Sequence, residues 1–312
     1  MTDESSQSEG RRPGTTTSSV QTSLENLSIS SSTNDKTLSS NTITSPLIVC
    51  DCGYGWPKEK RPRQEKIRAV AKQISNFLRW QEEIISSPPV FNKSACRVVV
   101  VGSKSNLAPL EKRLSAIFVS NKAECHLMQR VVFQEGDLLS LQESGIIGTS
   151  EPANGSTKTT AASNFLARYT SSTNMVYLSP DAEEILDYKT KPPTVVIVGM
   201  LVDRRVALNR SKERASKFQQ QQQQQHSIEI AKLPLSQCQK IMRVTNSSNS
   251  LKDEEPLNID TVLEIMQRWH LQCAGCDDDD GAALDNGAAF VKAAVDALMS
   301  HQERHPNRTL HL

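Results

Sequence analysis

Aromatic residues make up only 4% of this 312-residue chain. No apolar run reaches the length of a membrane-spanning helix, so no such helix is expected. No secretory signal is visible, and the seven cysteines therefore read as reduced thiols of an intracellular protein. A Walker-type phosphate loop is missing. So is a G-x-G-x-x-G following a strand, which leaves nucleotide hydrolysis and NAD chemistry without support. His270, Cys273 and Cys276 form an H-x-x-C-x-x-C half-site, but a zinc site needs four ligands and no second pair lies nearby. That spacing reads as fortuitous, and no metal is expected.

Residues 1–45 are rich in Ser, Thr, Asn and Gln and hold no aromatic residue. They cannot bury enough apolar surface to offset their ordering entropy, so a disordered tail is expected. Asp3, Glu4 and Glu9 come early, and Arg11–Arg12 is the only basic pair, which argues against a transit peptide. The expected compartment is the nucleus or cytoplasm rather than the mitochondrion. Net charge is +1, yet basic residues cluster. Lys58, Lys60, Arg61, Arg63, Lys66, Arg68, Lys72 and Arg79 face only Glu59 and Glu65 between Trp56 and Arg79. A second run holds Arg204, Arg205, Arg210, Lys212, Arg214 and Lys217. Both clusters are compatible with a polyanion such as nucleic acid, although charge alone favours a solvated helix face.

Apolar patterning gives the organisation. Leu47 to Asp51 (LIVCD) is a short buried strand ending in an acid. Ile67, Val70, Ala71, Ile74, Phe77 and Leu78 recur at helical spacing, which predicts a helix from Arg63 to Ile85, ended by Pro88–Pro89. Arg97 to Gly102 is the next strand, completing a βαβ unit and hence a parallel pair. Leu107 to Phe118 reads as helix and His126 to Phe133 as strand. Residues 148–163 are Gly-, Ser- and Thr-rich, as a flexible insertion would be. Asp181 to Leu186 reads as a short helix with Glu183 and Glu184 early. Lys212 to Phe218 is a helix running into glutamines 219–225, a tolerated expansion. Ile228 to Leu235 is a strand stopped by Pro234. Leu257 to Trp269 and Ala288 to His301 close the chain as helices. The alternation predicts an α/β fold with a parallel sheet over residues 46–302, between the disordered tail and a short tail at 303–312.

The stretch from Met175 to Asp203 carries the most chemistry. Val195, Val196, Ile197 and Val198 are β-branched without a break, as a strand covered on both faces should be. Gly199 permits close approach of a ligand or another backbone. Asp203 is the first charge after eleven uncharged residues. A carboxylate there lies where open α/β sheets place ligands, at the carboxyl end of a strand. It could serve as a proton acceptor, or cap the strand, or pair with Arg204 or Arg205.

Four patterns in order, VYLSPDA, VIVGMLVDRR, IAKLPL and LNIDTVLEIMQRW, resemble the tRNA guanine-9 N1-methyltransferases of the SPOUT class. LIVCD and Lys72–Gln73–Ile74 fit the earlier half of that family. The resemblance covers roughly residues 46–300. It implies a SPOUT-type parallel sheet with a carboxyl-terminal trefoil knot, S-adenosylmethionine as cofactor, and methyl transfer to N1 of guanosine at tRNA position nine. A monomer is implied too. N1 of guanine carries a proton that must leave, and Asp203 matches the family's aspartate as its acceptor. The matching cofactor positions are Leu178, Ser179, Gly199, Leu233, Leu235, Asp260, Thr261 and Val262, and Leu233 and Val262 suit a plain core equally well.

Three departures stand out. Met200 occupies the place of the family's second glycine, Asp260–Thr261 replaces an Asn-Gln pair, and a Ser/Thr tail replaces a basic amino-terminal arm. The grip on tRNA must then come from Lys58, Lys60, Arg61, Arg63, Lys66, Arg68 and Lys72, from the run containing Arg204, Arg205 and Arg210, or from an accessory protein. Two alternatives remain at this level: a SPOUT RNA methyltransferase with another site or an adenine target, and a catalytically impaired RNA-binding scaffold.

Overall fold

A computed structural model describes residues 45–86, 96–138, 174–200, 209–221, 228–242, 257–274 and 285–304. Residues 1–44 and 305–312 of the expected tails, the insertion near 148–163, the glutamines from 222 onward, and Asp203, Arg204, Arg205 and Cys276 lie outside those residues, whereas Glu303 and Arg304, expected in the tail, belong to the last helix.

Strand β1 is Leu47–Asp51 and is buried throughout. Helix α1, Lys60–Ser86, begins three residues before the expected start. Pro62 is tolerated there because first-turn N–H groups have no helical partner in any case. Its buried stripe includes Ile67, Val70, Ala71, Ile74, Phe77 and Leu78, the periodic set read from the sequence. Strand β2, Val98–Gly102, follows. Helix α2, Lys104–Val119, contains Pro109, which hides its first turn from a propensity reading. A proline there leaves the carbonyl four residues earlier without its helical donor, and that carbonyl, on Ser105, accepts from Arg63 at 3.4 Å.

The strand expected over His126–Phe133 is corrected. A 3-10 helix occupies Lys122–Arg130, and strand β3 is Val131–Glu135. Asn121 caps that helix by accepting from Ala123 N, and the Arg79–Glu124 ion pair at 2.7 Å ties its first turn to α1. Strand β4 is Met175–Leu178. The helix expected over Asp181–Leu186 is absent. A turn leads instead into β5, Glu184–Ile185, which pairs with a later strand. Six residues are too few to offset helix nucleation, whereas an open sheet edge supplies partners directly. Strand β6 is Val195–Gly199 and helix α3 is Arg210–Gln221, so the helix continues into the glutamines. Strand β7 is Ile228–Lys232, shorter than expected. Helix α4, Leu235–Met242, was not legible as a separate element. Helices α5, Ile259–Ala274, and α6, Asn286–Arg304, complete the described chain.

Among the described residues the seven strands form one parallel sheet in the order β3-β2-β1-β6-β4-β7-β5. Alternate residues face opposite sides. Ile48, Cys50, Val98, Val100, Val176, Val196 and Val198 pack on one side with α1, α2, α5 and α6. Leu47, Val49, Val99, Met175, Tyr177, Val195 and Ile197 pack on the other with Ala215 and Phe218 of α3. Strand β1 leads to α1 on one face and β6 leads to α3 on the opposite face. The adjacent pair β1–β6 is therefore the topological switch point, where open sheets form a crevice outside their carboxyl ends. No helix of the described residues is long and apolar enough to cross a membrane.

Candidate functional site at the switch point

At the carboxyl end of β1 the chain must bury Asp51 completely. A charge without partners there would cost several kcal/mol, on the order expected for an ion moved into a protein interior. The structure supplies four hydrogen bonds from three residues. Arg214 of α3 meets both oxygens with its Nε and Nη2, the latter at 2.9 Å from Oδ1. The Gly53 backbone N–H donates to Oδ1 at 2.8 Å, and Tyr177 Oη donates to Oδ2 at 3.1 Å. Since the single proton of Tyr177 goes to Asp51, Tyr177 receives the hydrogen bond that joins it to the Tyr54 hydroxyl. The Arg214 guanidinium lies 5.5 Å from the centre of the Tyr54 ring. Burial and then the Asp51 charge push both tyrosine hydroxyls upward, so both stay protonated.

Two glycines fit this cluster closely. A Cβ on Gly53 would stand 1.8 Å from Nη2 of Arg214. One on Gly199 would stand 2.6 Å from the Tyr54 hydroxyl. Gly199 thus permits the approach of a neighbouring side chain across the switch point. The backbone N–H of Met200 donates to the Asp51 carbonyl at 2.9 Å. Asp51 therefore holds the end of β6 through its main chain and α3 through its side chain.

The residues expected at the cofactor site fall into two groups. Leu178, Leu233 and Leu235 are buried in the apolar cluster beneath the sheet, and Val262 packs against it. Met200 joins the same cluster and is 4% exposed. Ser179 extends β4 by donating its N–H to Ala231 at 2.9 Å, and its hydroxyl bonds Ser211 of α3 at 2.6 Å. The register of β4, β6 and β7 sets Leu178 beside Val198 and Ala231, so the ends of these strands and Gly199 lie side by side. Asp260 and Thr261 instead fasten the start of α5. Asp260 accepts from Asn76 at 3.2 Å and from Thr261 N at 3.1 Å, and the Thr261 hydroxyl bonds His301 at 2.8 Å. Gln73 of α1 accepts the Ile259 N–H at 2.7 Å.

The basic residues near α1 line its first half. Lys58, Lys60, Arg61, Arg68 and Lys72 are exposed, and Arg63 and Lys66 are half-buried. Arg210 is exposed at the first turn of α3. A helix that follows a parallel strand starts at the sheet's carboxyl edge, so both groups border that edge. His270 is engaged elsewhere: its Nε2 donates to the Pro193 carbonyl at 2.7 Å, and burial lowers its pKa to about 4. Cys273 contacts Asn286 at 3.5 Å. Burial raises the Cys50 and Cys52 thiols, which keeps them protonated and unreactive.

The sequence assigned no role to Asp51, Tyr54 or Tyr177, and it placed Arg214 in a polyanion-binding run, whereas the structure sets Arg214 on Asp51. The signal for Asp51 was an acid closing a fully apolar strand. Its partner Arg214 lies 163 residues away, and no spacing rule reaches that far.

A family model for tRNA (guanine(9)-N(1))-methyltransferase TRM10/TRM10A matches residues 105–274, just over half of the chain. Among solved structures, the crystal structure of spTrm10(74) is similar at 16% identity and a TM-score of 0.45, with 81% of this chain and 96% of that one covered. The full-length spTrm10–SAH complex is similar at 14% identity and a TM-score of 0.45, with 81% and 96% covered. A dual-specific Trm10 from Thermococcus kodakaraensis is similar at 14% identity and a TM-score of 0.40, with 81% and 99% covered. No curated protein matches the chain.

Proposed function

The chain belongs to the TRM10/TRM10A family of tRNA (guanine(9)-N(1))-methyltransferases, and from that premise we propose that it methylates N1 of guanosine nine in tRNA with S-adenosylmethionine as donor. The family match carries this reading, because residues 105–274 include all four patterns from VYLSPDA to the α5 helix. On this reading the chain acts as a monomer, residues 46–302 form the catalytic domain, and its carboxyl-terminal half is knotted.

The chemistry of the residues at the strand ends fits the donor. Leu178, Leu233, Leu235 and Val262 offer apolar walls of the kind that hold a flat purine ring, and the end of β6 at Gly199 adds backbone without a side chain. Asp260 and Thr261 fix the start of α5 behind those walls. When bound, S-adenosylmethionine supplies an electrophilic methyl group. Transfer of that methyl to N1 of guanine would require the N1 proton to leave to a base of this chain. Asp203, which matches the family's aspartate in sequence, would take that proton. Tyr54 and Tyr177 stay protonated and do not compete as bases.

Asp203→Asn keeps the size of the side chain and removes its basicity. A general base contributes roughly 10²- to 10⁴-fold, so single-turnover methyl transfer should fall by at least about 100-fold. Cofactor affinity by calorimetry should stay within a few-fold of wild type. An unchanged single-turnover rate would remove Asp203 from the mechanism.

A further inference from the structure

The start of α5 is polar and buried at once: Asp260 is 1% exposed and Thr261 0%. The first amides of a helix have no partner within it, so a buried first turn needs partners from elsewhere. Two other helices supply them. From α1, Gln73 accepts the Ile259 N–H at 2.7 Å, and Asn76 Nδ2 donates to Asp260 Oδ2 at 3.2 Å. From the last turn of α6 comes His301, which is 2% exposed. Its Nε2 lies 3.4 Å from Asn258 Nδ2, and its Nδ1 lies 2.8 Å from the Thr261 hydroxyl. An amide nitrogen only donates, so Nε2 accepts and the imidazole proton sits on Nδ1, which donates to Thr261.

This turn leads directly into Val262, which packs against the apolar cluster that holds Leu178, Leu233 and Leu235. Asp260, Thr261 and His301 are themselves buried and bonded to one another's elements, so they reach a ligand only through the turn they hold. The departure from the family's Asn-Gln pair acquires a physical sense: Asp260 and Thr261 each meet a partner carried by another helix. We infer that His301, together with Asn76, is a positioning residue that sets Val262 against Leu233 and Leu235 and thereby fixes the apolar wall for the methyl donor. The inference rests on the reading of the chain as an S-adenosylmethionine-dependent methyltransferase, and adds to it what holds the donor site in shape from behind.

The test uses the full chain. His301→Phe keeps a ring and removes both hydrogen bonds, and Thr261→Val removes the hydroxyl from the other end of one of them. His301→Asn keeps a donor where Nδ1 stood. Phe290→Leu is the control, because it loosens α5 against α6 at Trp269, 5.1 Å away between ring centres, and leaves the first turn of α5 alone. Without cofactor, amide hydrogen exchange over residues 257–262 should speed up about tenfold in His301→Phe and in Thr261→Val. Calorimetry and steady-state kinetics should then show Kd and KM for S-adenosylmethionine raised about tenfold, with kcat at saturating donor and tRNA affinity within about twofold of wild type. Asn76→Leu should move the same quantities in the same direction. His301→Asn should recover most of the loss, and the double variant of His301→Phe with Thr261→Val should be no worse than either single one. Unchanged donor affinity in His301→Phe and Thr261→Val would overturn the inference. So would an equal loss in Phe290→Leu, or a fall in kcat with KM unmoved. A donor-binding wild type with unmoved variants defeats the role of His301 alone, whereas a wild type that neither binds the donor nor methylates tRNA defeats the functional reading and that role with it.

Discussion

His270 sits in a fully packed part of α5 with its Nε2–H on the Pro193 carbonyl, and burial holds its pKa near 4. In the unfolded chain a histidine titrates near pH 6.5. Between those values the unfolded state binds the extra proton, so stability rises with pH. The contribution is complete above about 6.5 and is lost as pH falls toward 4. Its full size is on the order of 3 kcal/mol. His270→Gln keeps a donor and removes the titration. Urea unfolding from pH 7.5 to 4.5 should show a flatter pH dependence for the variant than for wild type. Equal slopes would mean that His270 is not buried in its neutral form. This residue also shows where sequence reading stops. The H-x-x-C-x-x-C spacing could be dismissed as a metal site, but its hydrogen bond to a carbonyl 77 residues earlier could not be read from spacing.

At the scale of elements, the junction of β1 with α3 depends on Gly53. The Arg214 guanidinium crosses that residue to reach Asp51, and a methyl group there would stand 1.8 Å from Nη2. Arginine is flexible, yet any movement here breaks its hydrogen bonds to a carboxylate with no exposure. Gly53→Ala should therefore cost about 3 kcal/mol, the range seen when one partner of a buried pair is lost. Denaturant midpoints measure it directly, and wild-type stability would show that the clamp contributes nothing. The strands were the elements most legible in the sequence, because LIVCD, VVVVG and VVIVG are buried on both faces and need no periodicity. Element limits failed where a local signal misled. Pro62 and Pro109 concealed first turns, and the pattern over His126–Phe133 mixed a 3-10 helix with a strand. The pairing of β5 with β7 is a tertiary choice that a six-residue window does not contain. Gly199 was legible as the end of a buried strand and Ser179 only through the resemblance, while the Asp51–Arg214 pair was legible from neither.

For the whole molecule, charge and topology agree. Basic residues at the starts of α1 and α3 border the carboxyl edge, which is also where the ends of β1, β4, β6 and β7 gather. A polyanion drawn to that edge meets the switch point without crossing the apolar faces of the sheet, which helices cover. Such an arrangement suits an RNA substrate whose affinity depends on salt. It also accounts for basic patches in a chain with a net charge of only +1. The central claim is the site of methyl transfer. The measurement is mass-spectrometric mapping of tRNA after incubation with the full chain and isotopically labelled S-adenosylmethionine. The labelled methyl should appear on N1 of guanosine nine in wild-type reactions and vanish with Asp203→Asn. A label at another nucleotide, or none with cofactor and tRNA both bound, would contradict the account.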